Sequence, residues 1–356
     1  MKKLLALSMF ILMLLFLAAC GGDDTSSEGD NAGEDDTSSE ESSGDESSSE
    51  GDGEWAPSES IEIVAPAGAG GGWDTTARMS AQVLNEEGII EQDMGVVNKE
   101  GAGGAVGWAY MAEQAGSNHN LFVSSSPILL VPLNGQSEYG HEDFTPIANV
   151  IADYGAFAVR DDAEWDNLNE LFEDMKEDPQ SVTVVGTSSP GSMDHIQFVR
   201  FAKAAGVDIT KIKYVSAPDA GGITQLLNGS ADVFSTGVAE VVEQARAGEI
   251  RVLAVTSEER LEGETLSTFP TAMEQGIDES FINWRGFFGP KDMDPAAVEY
   301  YEAKFKELSD SGAFADVRSN YGWNEMFMGS EEYQEFLDQE KEALKGLLDE
   351  LGLTAE

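Results

Sequence analysis

Cysteine is nearly absent: Cys20 is the single one in 356 residues. That excludes an intramolecular disulfide and any cysteine-based metal site. Histidine is almost as scarce, with only His119, His141 and His195. No His-Glu-x-x-His pattern or carboxylate–histidine cluster at ligand spacing accompanies them, so neither a metal nor another cofactor is expected. Positive charge is the third shortage: 20 Lys and Arg stand against 67 Asp and Glu, a net charge of −47. Such a balance argues against nucleic acid as a partner and makes anionic membrane surfaces unfavourable. Long apolar runs are missing too. Residues 4–19 form the one sustained run, below the ~20 residues needed to span a bilayer.

What the first residues do have is the layout of an export signal: Lys2 and Lys3, the apolar run, then Leu17-Ala18-Ala19-Cys20-Gly21. Small residues before a cysteine resemble a bacterial lipobox. Residues 1–19 are therefore expected to be a lipoprotein signal peptide, with Cys20 acylated. Two or more acyl chains would anchor the mature chain stably to the outer face of the cytoplasmic membrane. Residues 21–54 hold 14 acidic residues, 11 Ser or Thr and 7 Gly, with no aromatic and no basic residue. A segment that polar cannot bury enough apolar surface to fold, so 20–54 reads as a lipid-anchored, disordered tether. Beyond it 18 basic face 53 acidic residues, or −35, a balance that suits saline or alkaline surroundings.

The remaining 300 or so residues suit two α/β domains rather than one small core. Short β-branched runs at 61–65, 95–98, 121–124, 147–151, 156–160, 182–186, 212–215, 233–236, 252–256 and 283–289 alternate with helical patterns. The helical stretches are 75–87, 105–115, 167–176, 193–205, 221–227 and 239–247, which argues parallel sheets with helical crossovers. Segments 295–308, 313–321 and 331–351 read as amphipathic helices packed on an existing sheet. Asp153-Tyr154-Gly155 reads as a polar turn between two strands. Two chain crossings imply a first domain of 58–155 plus 282–356, with 156–281 inserted as the second.

The glycines are the most informative feature. Ile61 to Ala65 runs into Pro66-Ala67-Gly68-Ala69-Gly70-Gly71-Gly72-Trp73-Asp74, and a helical pattern follows with Ala77, Ala81 and Leu84 on one face. A turn that bares N–H groups at a helix start is an anion site, because donors and helix dipole point the same way. No lysine follows, so this is not a Walker loop. The dinucleotide fingerprint fails at Trp73 here, and at Val106 in Gly101-Ala102-Gly103-Gly104. A carboxylate remains, or tight strand-to-helix geometry without any ligand. Asp74 sits where a helix cap belongs.

Taken in order, these stretches resemble the receptors of tripartite tricarboxylate transporters. The similarity is carried by Pro66 through Arg78, by Val96-Val97-Asn98-Lys99-Glu100-Gly101, and by Gly186-Thr187-Ser188-Ser189-Pro190-Gly191-Ser192-Met193-Asp194-His195. It continues through Tyr214-Val215-Ser216-Ala217-Pro218, Leu227 to Val233, Arg251 to Thr256 and Trp284-Arg285-Gly286. The looser Ala67-Gly68-Ala69 turn and Glu100 depart from the pattern.

The resemblance implies a type II periplasmic-binding-protein fold: two Rossmann-like lobes, a two-strand hinge and a ligand cleft between them. It implies an extracytoplasmic, monomeric solute-binding protein that captures a small di- or tricarboxylate, citrate-like by its Gly72-Trp73-Asp74 variant. The partner implied is a membrane permease with one large and one small subunit. One ligand carboxylate is placed at Gly70, Gly71, Gly72, Trp73 and Asp74 with Ser124, Ser125 and Ser126. A distal group is placed at Thr187, Ser188, Ser192, His195, Ala217, Pro218, Asp219, Gly237, Val238 and Ala239. Each has a plainer reading. Ser124 to Ser126 can cap a helix, Asp74 can order its loop, and a lone histidine such as His195 more often orders its own turn. Arg285 is the one cation near a motif that could reach the cleft, with a salt bridge to an acid as its alternative. Trp73 and Trp284 line the cleft or belong to the core.

An exported serine hydrolase would need Gly-x-Ser-x-Gly, which Gly186-Thr187-Ser188-Ser189-Pro190 does not complete, so no enzyme activity is expected. A lipoprotein that passes its ligand to a signalling receptor is the remaining alternative.

Overall fold

The computed structural model describes residues 55–217 and 221–355. The first signals in the sequence build as their patterns require. Strand β1 (Ile61–Ala65) leads through the glycine turn into α1 (Gly72–Glu86), then β2 (Met94–Asn98), α2 (Ala105–Ala112), β3 (Asn120–Ser124) and α3 (Pro127–Leu133). After β4 (Thr145–Arg160) come α4 (Leu168–Glu177), β5 (Thr183–Gly186), α5 (Met193–Ala204), β6 (Lys213–Ser216), α6 (Gly221–Leu227), β7 (Val233–Gly237), α7 (Val242–Arg246) and β8 (Ile250–Val255). The chain finishes with β9 (Ile282–Gly289), α8 (Pro295–Asp310), α9 (Gly312–Tyr321), β10 (Asn324–Met328) and α10 (Ser330–Leu351).

The ten strands form one mixed sheet in the order β2-β1-β3-β9-β4-β7-β5-β6, with β8 and β10 also pairing to β4. β1 lies parallel to β2 and β3, and β5 parallel to β6 and β7, as strand–helix alternation demands. The antiparallel β9 and β4 join the two parallel groups. Residues 145–154 of β4 pair with β9 and β10, whereas 155–160 pair with β7 and β8. A strand of 16 residues spans ~50 Å.

No turn interrupts β4 at residues 153–155, contrary to the polarity of that stretch. Asp153 is polar because it is the partner of a buried arginine. Gly155 is held within the sheet by Thr256, whose Oγ1 accepts its N–H at 2.8 Å while the Thr256 N–H donates to its carbonyl at 3.0 Å. A second departure is β10, a short strand of Asn-Glu-Met-Phe-Met with no clean alternation. The Asn149 side chain donates to the Met326 carbonyl at 2.6 Å and so ties it to β4. A third is α3, whose run of apolar residues carries no helical period.

Alternation along the central strands sends side chains to two cores. Leu121, Val123 and Phe287 face one side with α1 and α8, where Phe287 stacks on Phe305 at 4.2 Å. Phe122 and Phe288 face the other with Trp108 and Tyr333. Each such aromatic, fully buried, contributes about 1.5–3 kcal/mol. The tail helices do pack on the sheet, with Asp294 and Ser311 capping α8 and α9 through their side chains. α10 reaches further: its end meets α3, where Ala355 N–H donates to Leu133 O at 2.8 Å, and α5, where Lys203 pairs with Glu350.

Candidate functional site

A cavity of about 290 Å³ opens where the two parallel groups of strands meet. The turns after β1, β3, β5 and β7 all reach it, so it lies outside the carboxyl ends of parallel strands on both sides of β4, where α/β sheets commonly hold ligands. β4 and β9 supply its floor through Asp153, Asn283 and Arg285, and the end of α9 and the turn after it add Tyr321 and Trp323.

The β1–α1 turn forms one wall. Helix α1 begins at Gly72, with Gly71 in extended conformation as its cap and no side-chain capping bond. The first-turn N–H groups of Gly72, Trp73 and Asp74 therefore have no side-chain acceptor at the cap. Gly70 adopts φ +82°, a conformation glycine takes without strain. Gly72 has a different reason to be glycine: a Cβ there would lie 2.4 Å from Arg285 Nη2. Arg285, 7% exposed, donates to Gly72 O at 3.1 Å and to Thr76 Oγ1 at 3.2 Å, and its guanidinium is ion-paired with Asp153. The same guanidinium lies 5.6 Å from the Trp323 ring centre. Trp73 donates from Nε1 to Ser125 Oγ at 3.0 Å, joining this turn to the one after β3.

Asp74 is not the cap. Three residues into the structure's helical turn and 3% exposed, it reaches back to accept from Gly70 N–H at 2.8 Å, Arg78 Nε at 2.9 Å and Asn98 Nδ2 at 2.8 Å. Burial works to raise its pKa, but the bonds from Arg78, Gly70 and Asn98 prevail and hold the carboxyl below its ordinary value. It orders the glycine turn from behind.

The β5–α5 turn forms the opposite wall with an analogous device. Asp194, 1% exposed, accepts through Oδ2 from Thr187 N–H at 2.8 Å, Thr187 Oγ1 at 2.8 Å and Ser188 N–H at 2.9 Å. Its Oδ1 meets no hydrogen-bond partner among the described residues. His195, 7% exposed, lies behind this turn: Nδ1 accepts from Gly191 N–H at 3.0 Å and the ring packs on Tyr214 at 4.4 Å. Burial lowers its pKa to about 4, so the ring is neutral at pH 7 and free to accept. Glu240, beyond β7, opens onto the cavity and accepts from Thr236 Oγ1. Removal of water by the surrounding walls, with Asp194 nearby, pushes its pKa up to about 7.

Of the residues the sequence singled out, Gly70, Gly72, Trp73, Ser125, Thr187, Ser188, Gly237 and Ala239 line this one cavity. Gly71, Asp74, Ser124, Ser126, Ser192, His195, Ala217 and Val238 do not line it. Ser124 and Ser126 are buried, with hydroxyls lacking partners among the described residues. Ser192 holds the cap position of α5 without a side-chain capping bond. Ala217 is tied to β5 by its N–H to Gly186 O at 2.8 Å, and Val238 is core. Pro218, Asp219, Cys20 and the tether lie outside the described residues. Trp284 is core, stacked edge-on with Tyr333. Sequence reading passed over Asp153, Asn283, Glu240, Tyr321 and Trp323. Asp153 was hidden in an apparent turn, and Glu240 looked like one more solvated acid on a helix.

Among the described residues no helix is long and apolar enough to cross a membrane, and no cluster of His, Cys, Asp and Glu could hold a metal ion. The fold is that of a periplasmic-type solute-binding protein. The family model described as the tripartite tricarboxylate transporter family receptor, TctC, matches residues 77–353, and the chain belongs to that family. Among its curated relatives, Protein BugT of Bordetella pertussis is 26% identical over 83% of this chain and 90% of its own length. The crystal structure of a TctC solute-binding protein from Polaromonas superposes with a TM-score of 0.64 at 29% identity, covering 83% of this chain and 99% of that one. MatC from Rhodopseudomonas palustris, solved with bound malate, has a TM-score of 0.68 at 20% identity over 82% and 99% of the two chains.

Proposed function

We propose that the protein captures a small di- or tricarboxylate, citrate-like or malate-like, in this cleft and hands it to a membrane permease of the tripartite tricarboxylate type. The observation that carries the reading is the pairing of an uncapped helix start at Gly72 with Arg285 on one cavity wall. Hydrogen bonds to a charged group contribute about 1.5–3 kcal/mol each. Three or four of them from the α1 amides and Arg285 suffice for micromolar capture, near −8 kcal/mol, after ordering costs. The family is one of receptors rather than enzymes, and a protein of the same fold is solved with malate.

In this reading residues 58–155 plus 282–356 act as one lobe and 156–281 as the other. β4 and the start of β9 serve as the hinge, because hydrogen-bond partners change between Tyr154 and Gly155. Acylated Cys20 and the 20–54 tether hold a monomeric receptor at the outer face of the cytoplasmic membrane. A ligand panel on the full chain tests the proposal, following melting temperature and tryptophan fluorescence with citrate, malate, amino acids and neutral sugars. A saturable rise with one carboxylate class, without turnover, is expected. A response confined to neutral compounds overturns the reading.

A further inference from the structure

The cleft is oddly equipped for an anion. Four charged side chains line it: Asp153, Asp194 and Glu240 against Arg285. Arg285 is already paired with Asp153. Among the residues that line the cleft, the buried polar atoms left without a partner are acceptors. Asp194 Oδ1 and Asn283 Oδ1 are buried in residues 1% and 4% exposed, and neither has a partner among the described residues. Glu240 stands on the same side with its carboxyl open to the cavity. A carboxylate entering beside Glu240 would meet a second carboxyl group rather than a cation. Two carboxylates forced into one site retain a proton between them.

Resting on the carboxylate reading above, we propose that Glu240 decides how the distal end of the ligand is held: it takes up one proton as a dicarboxylate binds and donates it to the distal carboxylate. The proton comes from solvent, no covalent bond is made, and on release it returns to solvent. The surroundings of Glu240 favour this role. The charged groups acting on it are Asp194 from α5, Asp153 from β4 and Arg285 from β9, two acids against one base that is already neutralised, while Thr236 of β7 donates to it. Without ligand the group half-ionises at about pH 7. A bound anion raises that midpoint further, so the bound complex holds a proton that the free protein has lost. Asp194 is less suited: burial raises its pKa too, but its Oδ2 is already taken up by three donors and its Oδ1 is buried.

The consequence is a ligand preference tied to pH. Between about pH 7 and pH 9 the affinity for malate should fall by an amount approaching tenfold per pH unit, the limit for one linked proton. Titration calorimetry of the full chain with malate and citrate, in two buffers of different ionisation enthalpy, reads the proton uptake directly. Close to one proton per malate at pH 8 is expected. Glu240→Gln, which always carries a donor, should flatten the pH profile and abolish the uptake, while circular dichroism shows that it folds.

Binding of malate with no uptake and no pH slope overturns the proton linkage and leaves the carboxylate cleft standing. An unchanged slope in Glu240→Gln does the same by assigning the proton elsewhere. Tight, pH-independent binding of an amino dicarboxylate instead would overturn it by showing that the ligand brings its own donor. No binding of any carboxylate at any pH overturns the underlying reading as well.

Discussion

Gly72 and Arg285 constrain each other so closely that either can be used to break the site. Gly72→Ala sets a methyl group 2.4 Å from Arg285 Nη2, against a guanidinium that is itself fixed by Asp153, Gly72 O and Thr76. Overpacking of this kind costs typically 1–3 kcal/mol. A roughly tenfold or greater loss of carboxylate affinity with a lower melting point is expected, read by titration and thermal melt. Arg285→Ala is harsher on the fold, because it strands the buried Asp153 carboxylate. Breaking a buried pair in this way costs about 3–5 kcal/mol. Pairing it with Asp153→Asn should restore most of that stability in urea denaturation while binding stays lost. Equal stability of the single and double variants would mean that Arg285 is not the partner that holds Asp153.

At the scale of elements, Tyr333 of α10 offers a clean test of packing on β9. It is fully buried against Trp284 and Phe288, yet its hydroxyl has no partner among the described residues. Tyr333→Phe should therefore be neutral or slightly stabilising, whereas Tyr333→Ala should cost about 3–5 kcal/mol by denaturant midpoint. Elements such as these were legible to different degrees. The turns after β1 and β5 announced themselves because glycine and serine clusters between a β-branched run and a helical period have few other uses. The continuity of β4 was not legible, since an aspartate and a glycine in mid-strand look like a turn until Arg285 and Thr256 are seen to satisfy them. Asn283 and Glu240 were equally hidden: their role depends on which residues the sheet order brings opposite them, and that order puts β9 beside β3. Asp74 and His195 belong to turns that reach the cavity, but their side chains brace those turns from behind.

At the scale of the whole molecule, pH acts through two groups of the cleft turns, one buried and one open to the cavity. His195 is held near pKa 4, below the ordinary value of 6.5. The unfolded chain therefore gains a proton as pH falls through 6.5 while the folded chain does not, so stability declines from about pH 6.5 down to about pH 4 and levels below. The loss from this one group is up to ~3 kcal/mol. His195→Gln should remove that part of the decline, seen as a smaller drop in denaturation midpoint between pH 7 and pH 4.5. Glu240 works in the opposite sense: with its folded pKa raised, the folded form holds a proton the unfolded chain lacks between about pH 4.5 and 7, and stability falls as pH rises through that window.

The proposed function stands on a carboxylate held between the start of α1 and Arg285. A crystal structure of the chain with malate or citrate tests it most directly. One ligand carboxylate is expected within hydrogen-bond distance of the Gly72 and Trp73 amides and of Arg285, with the distal end beside Glu240. A ligand seated outside this cavity, or an empty cleft at saturating carboxylate, would contradict it.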